Sequence, residues 1–230
     1  TPTQLAQLED MLSKADLTSM IRTQPICLLQ QGKPPYPVFN ELYVSIADLG
    51  ATVLPDVSLH GNVWLFQYLT QTLDKRMLSY LMREGARSDK AFSINMNIST
   101  LFSEAFQKFD QSVSASLRGR FVVEVQPYDV FSDVGAFFFA RDYVHDRGYR
   151  MCLDGLTYLS LPFMNRKKLG VDFLKIQWSP DIADPNRGDL LQDIRQLVAE
   201  AGASRVIMCR CDDDRAVRLG MDLGIAMYQG

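Results

Sequence analysis

Apolar and polar positions along this chain follow two periods. Short runs that are apolar on both faces read as buried strands, and longer stretches with apolar residues three and four apart read as helices. The stretch from Gly148 to Gln177 holds two strand-length runs, Arg150-Met-Cys-Leu-Asp154 and Val171-Asp-Phe-Leu-Lys-Ile176, around a polar, basic connector able to form a helix. Strand, connector and strand in parallel register make a βαβ unit. The pattern predicts eight strands, over 24–29, 38–46, 92–98, 121–125, 150–154, 171–176, 205–209 and 225–229. Residues 30–37 form a turn punctuated by prolines, and Pro127 closes the fourth strand.

The helical stretches follow from their stripes and caps. Residues 1–20 carry Leu5, Leu8, Leu12 and Ala15 on one stripe, as a helix packed on the domain or as the end of an upstream coiled coil. Asn62 caps a long helix with Trp64, Leu65, Tyr68, Leu69, Leu73 and Met77 on its apolar face, and Gly85 ends it. Ser99 caps a helix over 101–109. The stretch 129–145 turns Val130, Val134, Phe137, Phe138 and Val144 inward. Helices over 190–201 and 216–223 end at Gly202 and Gly224. Residues 50–61 and 181–189 read as loops. Eight strands with helices between most of them predict an α/β fold, a (β/α)8 TIM-type barrel over 21–230, preceded by the helix at 1–20.

A charge is costly in a barrel core, so the polar residues inside apolar runs locate the mouth. Glu41, Asn97, Glu124, Asp154, Lys175 and Gln229 all lie at or near strand C-terminal ends, which converge on one face of such a barrel. Three carboxylates, two amides and a lysine there make a hard-oxygen site of the kind that holds Mg²⁺ or a similar ion.

Composition narrows the partners. The 230 residues are 47% hydrophobic and carry a net charge of −3, which argues against a broad surface for nucleic acid or anionic membrane. No apolar run approaches the ~20 residues of a membrane span, so a cytoplasmic domain is expected, with an anchor elsewhere in a longer chain left open. Cys27, Cys152, Cys209 and Cys211 lie in apolar runs and read as buried reduced thiols. Cys209-Arg-Cys211 has no matching Cys or His pair to complete a metal site.

The motifs on successive strands resemble those of the EAL domain, the cyclic di-GMP phosphodiesterase module of bacterial signalling proteins. Gln24-Pro-Ile26 is similar to its opening QPI, and Glu41-Leu-Tyr43 stands where its name-giving triplet falls. Asn97-Ile-Ser99, Glu124-Val-Gln126, Leu153-Asp154, the run from Val171 to Ile176 and the final Gln229-Gly230 follow in the family's order. The resemblance implies a two-metal hydrolysis, with Glu41, Asn97, Glu124 and Asp154 as metal ligands and Lys175 as the catalytic lysine. It gives nucleotide contacts to Gln24 and Gln229.

The same resemblance implies damage. Gly155 replaces the aspartate that joins the second metal, and Pro127 replaces the glutamate bracing the loop after it. Gln177 stands for an aspartate, Cys209 for a metal-site glutamate, and Ser45 for the arginine that grips a substrate phosphate. Asp212 keeps the last acid of its motif. Losing that arginine removes a charge-assisted contact worth about 1.5–3 kcal/mol. Cys209 offers a softer ligand that disfavours Mg²⁺. The expectation is a degenerate EAL domain with little or no phosphodiesterase activity, acting as a signalling and protein-interaction module. Its partner would be another protein or an upstream domain of the same chain, and a homodimer is open. The alternatives are a cyclic di-GMP receptor and a slow enzyme using Lys175 and a single divalent ion such as Mg²⁺. No cofactor is required by the first reading.

Overall fold

The computed structural model describes residues 10, 12, 17–45, 48–49, 63–84, 91–161, 164, 166–184, 186 and 188–230, with the side chains of 63–66, 84 and 166 excepted. Most of the helix expected over 1–20, the loop 50–61, the Asn62 cap, the side chains of Trp64 and Leu65, and the Gly85 stop lie outside what the structure describes.

Eight strands close into one barrel in chain order. They are β1 (Ile21–Leu28), β2 (Tyr36–Val44), β3 (Phe92–Asn95), β4 (Phe121–Val125), β5 (Arg150–Leu156), β6 (Phe173–Gln177), β7 (Val206–Cys209) and β8 (Met227–Tyr228). β1 runs antiparallel to both β2 and β8, and the remaining neighbours are parallel. The connection from β1 to β2 is a short turn through Gly32, at φ 75°, too brief for a crossover helix, so β2 returns alongside β1. The reversal puts the N-terminal part of β1 at the mouth, with Gln24 opposite Glu41.

The helices are α1 (Val63–Glu84), α2 (Ile98–Leu101), α3 (Glu104–Ser112), α4 (Ala115–Arg118), α5 (Pro127–Ser132), α6 (Val134–Asp146), α7 (Arg166–Leu169), α8 (Gly188–Ala201) and α9 (Asp214–Asp222). Leu69, Leu73 and Met77 of α1 are buried, as their stripe predicts.

Three local expectations need correction. β3 stops at Asn95, and Asn97, expected inside it, takes the N-cap position of α2, while the helix expected over 101–109 is interrupted after Leu101, with Ser103 rather than Ser99 capping α3. The helix expected over 129–145 is two. Asp133 is extended (φ −150°, ψ 92°) and its carboxylate accepts from the Ala136 N–H, capping α6, while Pro127 occupies the first turn of α5. Val134, expected to face inward, is 41% exposed because it follows this break at the first position of α6.

The barrel interior is built from a two-residue offset. Ile26, Phe39, Val122, Cys152, Phe173, Ile207 and Met227 form an apolar layer across the strands. Two residues further along six of these strands stand Glu41, Glu124, Asp154, Lys175, Cys209 and Gln229. Side chains of a strand return to the same face every second residue, so the polar set forms a second layer above the apolar one, at the mouth. The strands' other faces join the helices in the main outer core. Among the described residues, no helix is long and apolar enough to cross a membrane.

Candidate functional site

Lys175 sits at the centre of the polar layer. Its Nζ is 2.8 Å from Glu41 Oε2 and 2.7 Å from Glu124 Oε2, and Asp154 Oδ1 is 4.0 Å away. Glu41 is held from two further sides: Gln229 Nε2 donates to its Oε2 at 2.6 Å, and Asn95 Nδ2 to its Oε1 at 2.8 Å. Gln126 Nε2 donates to Asn95 Oδ1 at 3.0 Å and to Asp154 Oδ2 at 2.9 Å. The groups form one continuous network across β2, β3, the end of β4, β5, β6 and the end of β8.

Burial and charge set the protonation. Lys175 is 1% exposed and Glu124 fully buried. Burial alone would lower the lysine pKa, but the Glu124, Asp154 and Glu41 carboxylates override it and hold Lys175 well above its ordinary value. Burial pushes the Glu124 carboxyl up to about 7, with Lys175 opposing and Glu41 and Asp154 reinforcing. Glu124 Oε1 has no hydrogen-bond partner among the described residues, nor does Ser93 Oγ in the barrel interior. Burial, with Asp154 nearby, pushes the Cys209 thiol up to about 12, and its Sγ donates to the Ile176 carbonyl at 3.4 Å. Cys209 is a thiol in the mouth, not a thiolate ligand. All four cysteines are free.

The residues expected to hold a metal are brought together with one exception. Glu41, Glu124 and Asp154 surround Lys175. Asn97 does not join them: its backbone N–H and Nδ2 donate to Asp74 Oδ2 at 2.8 and 2.7 Å. Thr100 Oγ1 donates to the same oxygen at 2.8 Å. Asn95 takes the place in the network instead, because the ladder pairs it with Glu124. Asn95 and Asn97 share a parity in the sequence, so alternation does not choose between them; the strand ends at Asn95, and its register with β4 decides. Asp74 is buried, which raises its pKa to about 6 against the pull of its hydrogen bonds to Asn97 and Thr100.

The replaced positions have structural reasons of their own. Gly155 is at φ 75°, and a Cβ there would come within 2.3 Å of Gln126 Oε1. Gln126 holds Asp154, so the glycine and the glutamine depend on each other. Ser45 Oγ accepts from the Asp48 N–H at 3.1 Å, which caps a turn rather than reaching the network. Pro127 opens α5, Gln177 lines the mouth, and Asp212 is exposed.

A cavity of about 520 Å³ lies at this mouth. Leu42, Val44, Leu73 and Met96 give it an apolar wall, and Asn95, Gln126, Asp154 and Asp129 a polar one. Tyr128, 54% exposed, and Arg210 also line it. Arg210 has φ 60° and is the one non-glycine residue with positive φ among the described residues. Sequence reasoning missed Asn95, Gln126, Asp74 and Arg210; only the proximity of Gln126 to the Glu124 motif hinted at one of them.

The donor set is of hard-oxygen type, and Glu41, Glu124 and Asp154 are the residues that would hold a divalent ion. Among the described residues, no group of three or more His, Cys, Asp or Glu side chains is arranged to hold a metal. The Lys175 ammonium stands between Glu41 and Glu124 where their oxygens converge.

No protein-family model matches the chain, and no curated protein matches it in sequence. Solved structures do. The Vibrio cholerae LapD S helix-GGDEF-EAL structure is similar over 98% of this chain at TM-score 0.70 and 12% identity. The Xanthomonas citri FimX EAL domain, in complex with c-diGMP, is similar over 100% at 0.66 and 12%. The Bacillus subtilis YkuI protein, in complex with c-di-GMP and calcium, is similar over 96% at 0.64 and 17%. The chain spans 56% of the LapD and YkuI chains and 92% of the FimX one.

Proposed function

We propose, from the premise that this chain has the fold of an EAL domain, that it is a catalytically degenerate member of that fold. It acts in cyclic di-GMP signalling as an interaction module, with little or no phosphodiesterase turnover. The observation that carries this reading is the pair Gly155 and Cys209, which stand where the resemblance implies an aspartate and a glutamate of the metal site. A two-metal hydrolysis needs carboxylates free to clamp the ions. Here Glu41 and Glu124 are engaged by Lys175, Asn95 and Gln229. A divalent ion would have to displace the ammonium and then meet a thiol at Cys209 and a glycine at 155.

An interaction role is supported by the outer surface. Phe139 is 64% exposed and packs against Phe102, itself 37% exposed, at 5.3 Å between ring centroids. Aromatic side chains so placed are common at protein interfaces. The partner is another protein or a neighbouring domain of a longer chain.

The second reading is a cyclic di-GMP receptor, favoured by the cavity of about 520 Å³ with Arg210 on its lining. Calorimetric titration of cyclic di-GMP, with and without Mg²⁺ or Ca²⁺, separates the two. The interaction-module reading predicts no heat from folded protein at high micromolar ligand. Binding in the micromolar range or tighter overturns it in favour of the receptor.

A further inference from the structure

A second cavity, of about 210 Å³, backs onto the mouth cavity; Val44 and Met77 line both. Its chemistry is opposite in sign. Asp74, Asp129 and Asp154 line the mouth with Arg210, whereas among the described residues the titratable groups lining the smaller cavity are Arg76, Tyr80 and Arg83. No carboxylate of the described residues lines it.

The three side chains share one face of α1. Spacings of four and three residues bring them to the same side of a helix, and a rise of ~1.5 Å per residue puts the two arginines about 10 Å apart along the axis. Each guanidinium reaches several ångströms on its stem, so the two can converge on a group between them. Arg76 is already oriented: its Nη2 donates to the Leu12 carbonyl at 2.6 Å, which leaves the rest of its fork of donors for another acceptor. Arg76 and Tyr80 are half-buried and Arg83 is exposed, giving an anchored side and an open side. Ile21, Val44 and Met77 give the cavity apolar walls, where charge-assisted hydrogen bonds are stronger than in open water.

We infer that this cavity is a binding site for a free, phosphate-sized oxyanion: inorganic phosphate or the terminal phosphate of a small phosphomonoester. Two guanidinium charges and a phenol hydroxyl line the cavity together, and a phosphate dianion matches that pair of charges where a carboxylate carries only one. The inference is independent of whether the barrel mouth binds nucleotide.

The test is calorimetric titration of sodium phosphate into the whole chain, against sodium chloride at equal ionic strength. Saturable binding to the unaltered chain is expected. Arg83→Ala should weaken it about tenfold or more, and Arg76→Lys, which keeps the charge and loses the fork, should weaken it as well. Arg215→Ala, which alters an exposed pair with Asp213, should leave it unchanged. Circular dichroism confirms that each variant is folded. No saturable heat beyond the chloride control overturns the proposal, as does full binding by folded Arg83→Ala. Association only with phosphatidic acid vesicles, and not with inorganic phosphate, also overturns it.

Discussion

Lys175 stands between two carboxylates that would otherwise face each other in the barrel interior. Removing one partner of a buried ion pair leaves an uncompensated charge, at a cost of about 3–5 kcal/mol. Lys175→Met should therefore lower unfolding free energy in urea by that amount. Gly155 gives a second residue-scale prediction. Asp at this position takes a left-handed backbone, which costs a non-glycine residue about 1–2 kcal/mol, and its Cβ meets Gln126. Gly155→Asp should lower the melting temperature, and adding Gln126→Ala should restore part of the loss, which a double-mutant cycle measures. Asp74 gives the pH dependence. Its folded pKa, about 6, lies above its ordinary 3.8, so the folded state binds this proton more tightly than the unfolded one. The contribution of Asp74 to stability therefore grows as pH falls from about 6 towards 4 and levels off below. Comparing urea denaturation at about pH 4.5 and about pH 7, Asp74→Asn should remove roughly 2–3 kcal/mol of acid-side gain.

At the scale of elements, the strands were the most legible part of the chain. Phe39 and Glu41, Val122 and Glu124, Cys152 and Asp154, and Phe173 and Lys175 each place an apolar residue two before a charged one, and the barrel stacks these pairs into its two inner layers. The mouth was legible from those pairs. The antiparallel return of β2 was not drawn from the sequence, although a turn of a few residues has no room for a crossover. Asn95 was missed because two asparagines of equal parity leave the choice to the pairing with β4. Asp133 was missed because the apolar periodicity runs through it, while its carboxylate caps α6 and breaks the helix. Asp133→Ala should cost about 0.5–2 kcal/mol, read as a lower melting temperature, since the Ala136 N–H loses its acceptor.

At the scale of the whole molecule, the fold and its chemistry diverge. The barrel delivers residues from six strand ends to one mouth, as a (β/α)8 enzyme requires. The side chains delivered there bond to one another: Glu41 alone accepts from Lys175, Asn95 and Gln229. Gln126 and Gly155 fill the ground beside Asp154, so the changes around the site form a consistent packing. On the proposed reading, such an arrangement keeps the scaffold while withdrawing the ligands that turnover needs. The most direct test is chromatographic detection of linear dinucleotide after prolonged incubation of the folded chain with cyclic di-GMP and Mg²⁺ or Mn²⁺. The account predicts no product above the protein-free control. Metal-dependent product that disappears in Glu41→Ala would contradict it, and would mean that an ion displaces Lys175 and restores a working centre.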